Sequence, residues 1–460
     1  MARLHAKPVW KPRPKNNDRN HASAGRALVE TAGGASARPS IDCGGVLPPV
    51  PTRKRATVSR TKTLILLVFV SLLAVIVGAP VSASLQGTDF PDFYCAARML
   101  AEGHGHQLYD AEVQRLYQAR YAGRVGTLYI HPPFEAVLYL AVAWLPLRRA
   151  HLLWSFLNLA FLAAGARRLS MEALMPWDWR VALAASLTFI PLLLCLLQGQ
   201  DSLLLLLLMV LAFTALRRDR AFAAGCWLGL GLFKFHLVLP LVLVLVLTQG
   251  RSARSALARG FGLIALALAG LSTAVAGWPV FTVYPKFLVD LQAQPFAGIT
   301  PQAMANFRGL TYFFVHRDQS PWAVAAVSIL SAASLVIALI VWKRSRLASL
   351  LIPAAETQDE FDFAFANTVL FAVLVSYHLN PHDLSLMLLP ISLLLHQMWV
   401  RTPRRLRAAN WMTAGLLGIL FLPPFHLWAL HAGVYGLVAL PLLLLFLTTS
   451  ASSARQDSAA

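Results

Sequence analysis

The run Leu-Leu-Leu-Leu-Leu-Leu-Met-Val at residues 203–210 decides the fold class, and a second run, Leu-Leu-Leu-Cys-Leu-Leu, occupies residues 192–197. Both lack the alternation of a membrane β-strand and lie in windows long enough for a spanning helix. Of 460 residues, 57% are hydrophobic and 13% charged, whereas a soluble domain has about 25% charged residues. We therefore predict an all-α, multi-pass transmembrane helical bundle of about 10–13 spans, whose excess apolar surface is covered by lipid.

The basic residues are distributed as in a membrane protein. The chain holds 40 Lys and Arg against 21 Asp and Glu, a net charge of +19. Residues 1–62 form a basic stretch without apolar periodicity, which predicts a disordered cytoplasmic tail. Further basic residues follow apolar runs, as at Arg217 and Arg218. This positive-inside pattern predicts a cytoplasmic N-terminus and contact with anionic lipid rather than nucleic acid, because no folded basic module is recognisable.

Two polar loops interrupt the apolar segments. The first span is expected at about 63–81, so residues 85–131 form an extracytoplasmic loop, and a second polar loop covers 277–321. The orientation of the chain between 132 and 200 stays open. Arg148/Arg149 and Arg167/Arg168 flank one apolar segment there, and both pairs cannot be cytoplasmic if that segment spans the membrane once. The predicted division of the chain is a tail at 1–62, a transmembrane domain at 63–448 and a flexible C-terminal tail at 449–460.

Asp89 and Asp92 are the most informative acids, because they directly follow the first expected span. An acid at a membrane boundary is costly and usually functional. If a helix begins here, the three-residue spacing places both carboxylates on one face, where they point into one cavity. A carboxylate near an apolar wall has a raised pKa and serves as a general base. The alternative is that Asp89 caps a juxtamembrane helix.

Two further segments place polar groups at membrane level. His131 precedes Pro132-Pro133, which begin the next helix, so it is a candidate for binding phosphate or hydroxyl, or else an interfacial or capping histidine. Gln200, in Gln198-Gly199-Gln200-Asp201-Ser202, lies between the two Leu-rich runs. Such residues cannot face lipid, so they form a plain turn or line a cavity that binds hydroxyls.

Three further residues are candidates for binding a phosphate group. Lys234 interrupts an apolar stretch from 221 to 248, where a buried ammonium is expensive unless paired. Phosphate would be a natural partner, and snorkelling to the interface is the alternative. His236 lies two residues further on, and Arg308 in the second polar loop is a candidate phosphate clamp.

The segment Tyr377-His378-Leu379-Asn380-Pro381-His382-Asp383 concentrates polar groups between two apolar stretches. His378 and His382 are predicted to bind substrate in the cavity of Asp89. A metal site is disfavoured here, because these ligands lack a partner motif. No cofactor is predicted, although the pair Asp89/Asp92 leaves a divalent ion open.

These motifs together resemble the bacterial GT-C type polytopic glycosyltransferases of family 87, which contains polyprenyl-phosphate-mannose-dependent α-mannosyltransferases and is also described as DUF2029. The resemblance covers about 63–400. It is carried by five segments in order: Asp89–Ala97, Gly103–Tyr109, Tyr129–Pro133, Gly199–Gln200 and Gly225–Lys234. The acid at position 92 departs from the family pattern, where this position is commonly apolar.

The resemblance implies a hexosyltransferase in the bacterial plasma membrane that acts by inverting transfer on the outer face. A mannose-like hexose would pass from a polyprenyl-phosphate sugar to a lipid or glycan acceptor. Asp89 would be the catalytic base, and Lys234 and Arg308 would stabilise the leaving phosphate. The donor needs no nucleotide-binding domain, and neither a GxGxxG unit nor a P-loop pattern is present.

Two alternatives share most of these features. A transporter or flippase of lipid-linked sugar would also have many spans and a buried charge, but no internal repeat is evident and the loop at 85–131 is larger than transport requires. A non-catalytic membrane assembly protein would leave the clustered acids without a task.

Overall fold

The computed structural model describes residues 88–123, 125–175, 177–292, 300–351, 354–400 and 407–456. All elements within these ranges are helices joined by turns, and no strand occurs among them, which confirms the all-α prediction. The expected tail at 1–62 and the expected first span at 63–81 lie outside the described residues.

The helices follow one another closely along the chain. The first nine are α1 Phe90–Ala101, α2 Ala111–Ala122, α3 Pro133–Ala143, α4 Leu147–Met171, α5 Trp179–Ser186, α6 Ile190–Gln198, α7 Ser202–Leu216, α8 Ala221–Leu230 and α9 Phe235–Thr248. The remaining nine are α10 Arg251–Ala276, α11 Val280–Gln292, α12 Phe307–Val315, α13 Pro321–Leu351, α14 Ala354–Val375, α15 Leu388–Val400, α16 Arg407–Phe421, α17 Pro423–His431 and α18 Ala439–Gln456. Short 3₁₀ turns at Gly231–Lys234 and Pro381–Met387 precede α9 and α15.

Several apolar runs are divided into bent pairs rather than single straight spans. Three continuous segments of the described residues are long and apolar enough to cross a bilayer: Ala221–Thr248, Arg251–Ala276 and Pro321–Ser345. Three bent pairs raise the number to six: α3–α4 at 109°, α5–α6 at 75° and the pair from Trp411 to His431 at 56°. The described residues thus supply three to six of the 10–13 expected spans, because prolines at helix starts divide several apolar runs into shorter helices.

Small residues allow α8 and α10 to pack closely. A Cβ atom at Gly225 would collide with the backbone of α10 at Leu257, and one at Gly260 would collide with the backbone of α8 at Phe222. Such close approach is characteristic of helices packed within a membrane. By contrast, α10 and α13 expose large side chains such as Leu266 to the surroundings, which is the expected surface for lipid contact.

Ion pairs place the C-terminal end of α4 beside the segment that follows α7. Glu172 Oε1, directly after α4, lies 3.3 Å from Arg168 Nη2 and 2.6 Å from Arg218 Nη2. The arginines at the end of α4 therefore lie beside those that follow α7. Arg148, at the start of the same 25-residue helix, is at its other end, about 30 Å away at 1.5 Å per residue.

A separate aromatic core organises α1 to α3. The Phe93 and Tyr139 rings stack with centroids 4.6 Å apart, and both side chains are buried. Asp110 caps α2 by accepting hydrogen bonds from the backbone of Glu112 and Val113 at 2.9 and 3.2 Å. These contacts fix the segment that lies between Asp89 and His131, two of the predicted site residues.

Two predicted irregular segments contain helix. The second polar loop, expected at 277–321, includes α11 and α12. The last helix continues to Gln456, so residues 449–456 are helical where a flexible tail was expected. The apolar run that precedes them extends the helix beyond the boundary that composition indicated.

Candidate functional site

Asp89 lies immediately before α1, and its side chain does not cap that helix. Its Oδ2 atom accepts a hydrogen bond from Gln200 Nε2 at 2.7 Å, while its backbone N–H donates to Gln198 Oε1 at 2.8 Å. Within α1, which is fully described, no backbone N–H is bound by the Asp89 carboxylate. The capping alternative is therefore wrong, and Asp89 is partly exposed at the edge of the cluster described below.

The Gly199–Gln200 turn packs against the start of α1. α6 ends at Gly199 with a left-handed φ of 64°, and a Cβ atom there would lie 2.5 Å from Phe90 Cδ2. Gln200 is buried, and its backbone carbonyl accepts a hydrogen bond from Asn158 Nδ2 at 3.0 Å. The segment is thus a turn whose Gln200 side chain reaches Asp89.

Lys234 is buried at the 3₁₀ turn that breaks the span between α8 and α9, with a relative exposure of 2%. Its Nζ atom donates to Gln200 Oε1 at 3.1 Å. It also forms ion pairs with Asp383 Oδ1 at 2.9 Å and Asp201 Oδ1 at 3.3 Å. Snorkelling to the interface is therefore wrong. Within the protein the partners of the ammonium are carboxylates, because a buried charge requires compensation within the fold. The interaction of Lys234 with a phosphate stays a prediction.

Asp383 completes this polar cluster. Its Oδ1 atom accepts a hydrogen bond from Ser202 Oγ at 2.8 Å, and Oδ2 accepts the backbone N–H of Asn380 at 3.0 Å. Burial opposes the charge of Asp383, but the neighbouring Lys234 ammonium holds its pKa well below the usual range. His382 Nε2 lies 3.6 Å from Asp383 Oδ1, so His382 belongs to the buried cluster.

Glu135 is a site residue that the sequence analysis missed. It is fully buried in the first turn of α3, and its Oε1 atom lies 3.0 Å from His131 Nδ1. Burial, and then the charge of Lys234, lowers the pKa of His131 to about 4. The sequence signal that could have revealed this contact is an acid four residues after His131, within an apolar segment. His131 thus does more than lie at an interface, because a buried carboxyl group holds its ring.

A cavity of about 130 Å³ lies beside this cluster. One part of its wall is polar and holds four of the predicted site residues, while Phe233, Phe235 and Leu288 contribute to an apolar part. The predicted residues that line it are His131, His236, Arg308 and His378. The cavity thus combines a wall that bears nitrogen-containing side chains with an apolar wall.

Arg308 reaches the cavity from the first turn of α12 and is anchored on both sides. Its Nε atom donates to Asp318 Oδ1 at 2.8 Å, and Nη2 donates to Asp318 Oδ2. Nη1 donates to the Tyr377 carbonyl at 3.2 Å, and the guanidinium stacks 4.2 Å above the Tyr377 ring. Arg308 is therefore prepositioned, with its charge partly compensated by Asp318.

His236 and His378 stand beside each other on the cavity wall, with ring centroids 6.0 Å apart. His236 Nδ1 lies 2.8 Å from Ser376 Oγ, and His378 Nε2 lies 3.4 Å from Asn380 Nδ2. Burial lowers the pKa of His378 to about 4, so its ring is neutral in the free cavity. Both side chains line the cavity.

The structure separates Asp92 from Asp89. Asp92 Oδ1 accepts a hydrogen bond from Gln118 Nε2 at 3.0 Å, and Oδ2 accepts one from the Thr127 hydroxyl. Asp92 therefore connects α1 to the end of the first loop, and its carboxylate has other partners than that of Asp89, so its role in substrate binding stays a prediction. The partners differ because Asp89 precedes the helix and turns toward Gln200, whereas Asp92 lies in its first turn.

The predicted residues thus form two adjoining groups. Asp89, Gln200, Lys234 and His382 belong to the buried polar cluster, and none of these four lines the cavity. His131 links the groups, since it lines the cavity and lies within electrostatic reach of Asp89. In the part of the chain that the structure describes, no three His, Cys, Asp or Glu side chains are placed to hold a metal ion.

The chain was also compared with known proteins. The model of a family described as "Glycosyltransferase family 87" matches residues 129–376, which is more than half of the chain. This match includes His131, Gln200, Lys234 and Arg308, while Asp89 precedes it. The chain matches no curated protein.

Proposed function

The chain belongs to glycosyltransferase family 87, and on that premise we propose that this membrane glycosyltransferase uses a polyprenyl-phosphate sugar as donor. The sugar is a mannose-like hexose, and the acceptor is a lipid or glycan at the outer face of a bacterial plasma membrane. The observation that carries the proposal is the Asp89 carboxylate, which does not cap its helix, is held by Gln200 and lies within electrostatic reach of His131, a residue of the cavity wall.

Asp89 acts as the general base. Its carboxylate removes the proton of the acceptor hydroxyl while the hydroxyl oxygen attacks the anomeric carbon of the sugar. The bond from that carbon to the phosphate oxygen breaks, and the electron pair leaves with the polyprenyl phosphate, so the anomeric configuration is inverted. Burial raises the pKa of Asp89, despite the opposing effects of the Gln200 hydrogen bond and of His131, which suits a base near neutral pH.

The cavity receives the donor. Arg308, His236 and His378 present cationic or hydrogen-bonding groups to the phosphate, which gains charge as the bond breaks. Phe235 is partly exposed on α9 and also lines the cavity. This position supports entry of the hydrocarbon tail from the bilayer side, while the phosphate stays with the nitrogen atoms.

The direction of α4 supports an outer location of the site. His151, in the first turn of α4, lies beside Phe90 with ring centroids 4.9 Å apart, at the site end of this helix. Arg168, near the other end, joins Glu172 and Arg218. Arg148 and Arg149 lie at the site end, but the larger basic group, with Arg217, Arg218 and Arg220 after α7, lies at the other end, so the positive-inside rule supports an outward-facing site end.

The test uses purified protein and a labelled polyprenyl-phosphate mannose donor. We expect Asp89→Asn to abolish sugar transfer while its elution profile and unfolding midpoint stay those of the native protein. The matched control is Asp110→Asn, which removes a carboxylate in the same loop but keeps the cap of α2, since Asn caps as well as Asp.

Two results contradict the proposal. One is full transfer by Asp89→Asn, and the other is movement of the labelled lipid across a vesicle membrane without a covalent product, which indicates a transporter. Orientation is tested separately with a reporter fused after Leu108. A cytoplasmic signal from that reporter contradicts the outer location.

A further inference from the structure

The most unusual side chain outside the mechanism above is Glu135. Its exposed fraction is 0%, and burying a carboxyl group is expensive unless it is compensated. Neither of its oxygens has a hydrogen-bond donor of standard geometry among the described residues. Its contacts are His131 Nδ1, 3.0 Å away, and the neighbouring carboxyl group of Asp201.

His131 connects this buried acid to the cavity. One ring nitrogen is directed to Glu135, and the ring lines the cavity. The Phe93 ring lies 4.7 Å from the His131 ring, and the Tyr109 hydroxyl donates to the His131 carbonyl at 2.7 Å. Among the described residues, no hydrogen bond involves His131 Nε2. The ring is therefore fixed by packing, with one nitrogen uncommitted.

We propose that Glu135 is a positioning residue, which holds His131 against the cavity and provides the proton with which His131 binds the phosphate of the donor. This inference rests on the proposed function, since it takes a phosphate-bearing sugar lipid as the occupant of the cavity. Glu135 itself does not touch the substrate. It acts through His131, as carboxylates do that orient a catalytic or ligating imidazole.

The proton balance within the cluster supports this role. Two carboxyl groups that meet in a buried site share one proton. Glu135 and Asp201 form such a pair. When a phosphate enters, that proton moves to His131 Nδ1, and the ring becomes an imidazolium whose Nε2–H donates to a phosphate oxygen. Glu135 is then paired with the imidazolium, and Asp201 keeps Lys234, 3.3 Å away. No charge is created or lost in this step.

The placement of Lys234 makes the arrangement specific. Lys234 Nζ forms ion pairs with Asp383 at 2.9 Å and with Asp201 at 3.3 Å, so one buried ammonium compensates two carboxylates. Among the described residues Glu135 forms no ion pair with Lys234, and its ionised form gains a paired cation when His131 is charged. Phosphate binding and ionisation of Glu135 are therefore coupled, and each favours the other.

The experiment measures donor and acceptor KM and kcat for the full-length protein with labelled polyprenyl-phosphate mannose. The variants are Glu135→Gln, His131→Gln and the double variant. We expect each single variant to raise the donor KM about ten- to a hundredfold, as for a lost hydrogen bond to a charged group. The acceptor KM stays unchanged, and the double variant is no worse than His131→Gln.

The control is Glu112→Gln, which removes an exposed acid that pairs only with Arg115 within α2. It is expected to show native constants. Additive effects in the double variant overturn the role of Glu135, as does a native donor KM in Glu135→Gln. If Glu135→Gln does not fold, His131→Gln tests the proposal. An unchanged donor KM in His131→Gln overturns it, because Glu135 acts only through His131. Absence of transfer by the native protein contradicts the proposed function instead.

Discussion

Phe90 packs directly against Gly199, although 109 residues separate them along the chain. A Cβ atom at Gly199 would lie 2.5 Å from Phe90 Cδ2 and 2.7 Å from Phe90 Cβ. This contact positions Asp89, the residue before Phe90, next to Gln200, the residue after Gly199. The hydrogen bond between the last two, at 2.7 Å, depends on that close approach.

Gly199→Ala is predicted to reduce both stability and transfer. The left-handed φ of 64° costs a residue with a Cβ atom about 1–2 kcal/mol, and the collision with Phe90 adds to this. We expect a lower unfolding midpoint in detergent and a larger loss of kcat than of donor binding, because Asp89 moves. The control is Gly262→Ala, since a Cβ atom there meets no atom within 4 Å. Equal stability of the two variants would contradict the argument.

Lys234→Met is predicted to destabilise the protein strongly. It leaves Asp201 and Asp383 buried without their cation, and breaking a buried ion pair on one side costs about 3–5 kcal/mol. The measurement is the unfolding midpoint of the purified protein. Adding Asp383→Asn should recover part of the loss, because one uncompensated charge is removed. Lys286→Met, at an exposed position of α11, is the control, and a similar loss there would refute the prediction.

Asp92→Ala is predicted to loosen the first loop and to leave the chemistry intact. Gln118 and Thr127 each lose one acceptor, but Gln118 Nε2 keeps the Thr127 carbonyl and Thr127 is exposed, so the cost is about 0.5–1.5 kcal/mol per hydrogen bond. Limited proteolysis should cut the chain faster near Thr127, while transfer per folded molecule stays close to native. Loss of transfer with native proteolysis would support a direct role for Asp92 in binding.

The acid limb of the pH profile reports on Asp89. Because only the ionised carboxylate accepts a proton, kcat/KM falls as pH falls through the Asp89 pKa. Burial raises that pKa above its usual value, and the Gln200 hydrogen bond opposes the rise. The limb should therefore lie above pH ~3.9, the value of an exposed aspartate.

Gln200→Met is predicted to move this limb to higher pH, since the carboxylate loses the hydrogen bond that stabilises its charged form. The control is Gln198→Met, because Gln198 accepts from the Asp89 backbone and does not touch the carboxylate. The measurement is transfer rate against pH at subsaturating donor. A limb that stays in place in Gln200→Met, or moves equally in both variants, would show that Asp89 is not the titrating base.

Some site residues could be predicted because a polar or charged side chain beside apolar stretches is visible in the sequence itself. Lys234 in an apolar stretch, the histidines near Asn380-Pro381 and the acid at Asp89 are conspicuous against a hydrophobic background, and each lies in the cluster or at the cavity. Glu135 was overlooked because a single acid near the start of a helix is ordinary in sequence. Its burial and its contact with His131 depend on how α3 packs.

The amino-acid sequence by itself determined that the protein is an all-helical membrane protein, because the excess of apolar over charged residues leaves no other way to cover its surface. It also determined which polar residues had to be sheltered from lipid. Only the tertiary structure decided their partners: Lys234 with two acids, Asp92 with the first loop, and Asp89 with Gln200. The physical reason is that pairing buried charges depends on distances of a few ångströms between segments far apart in the chain, which no local pattern encodes.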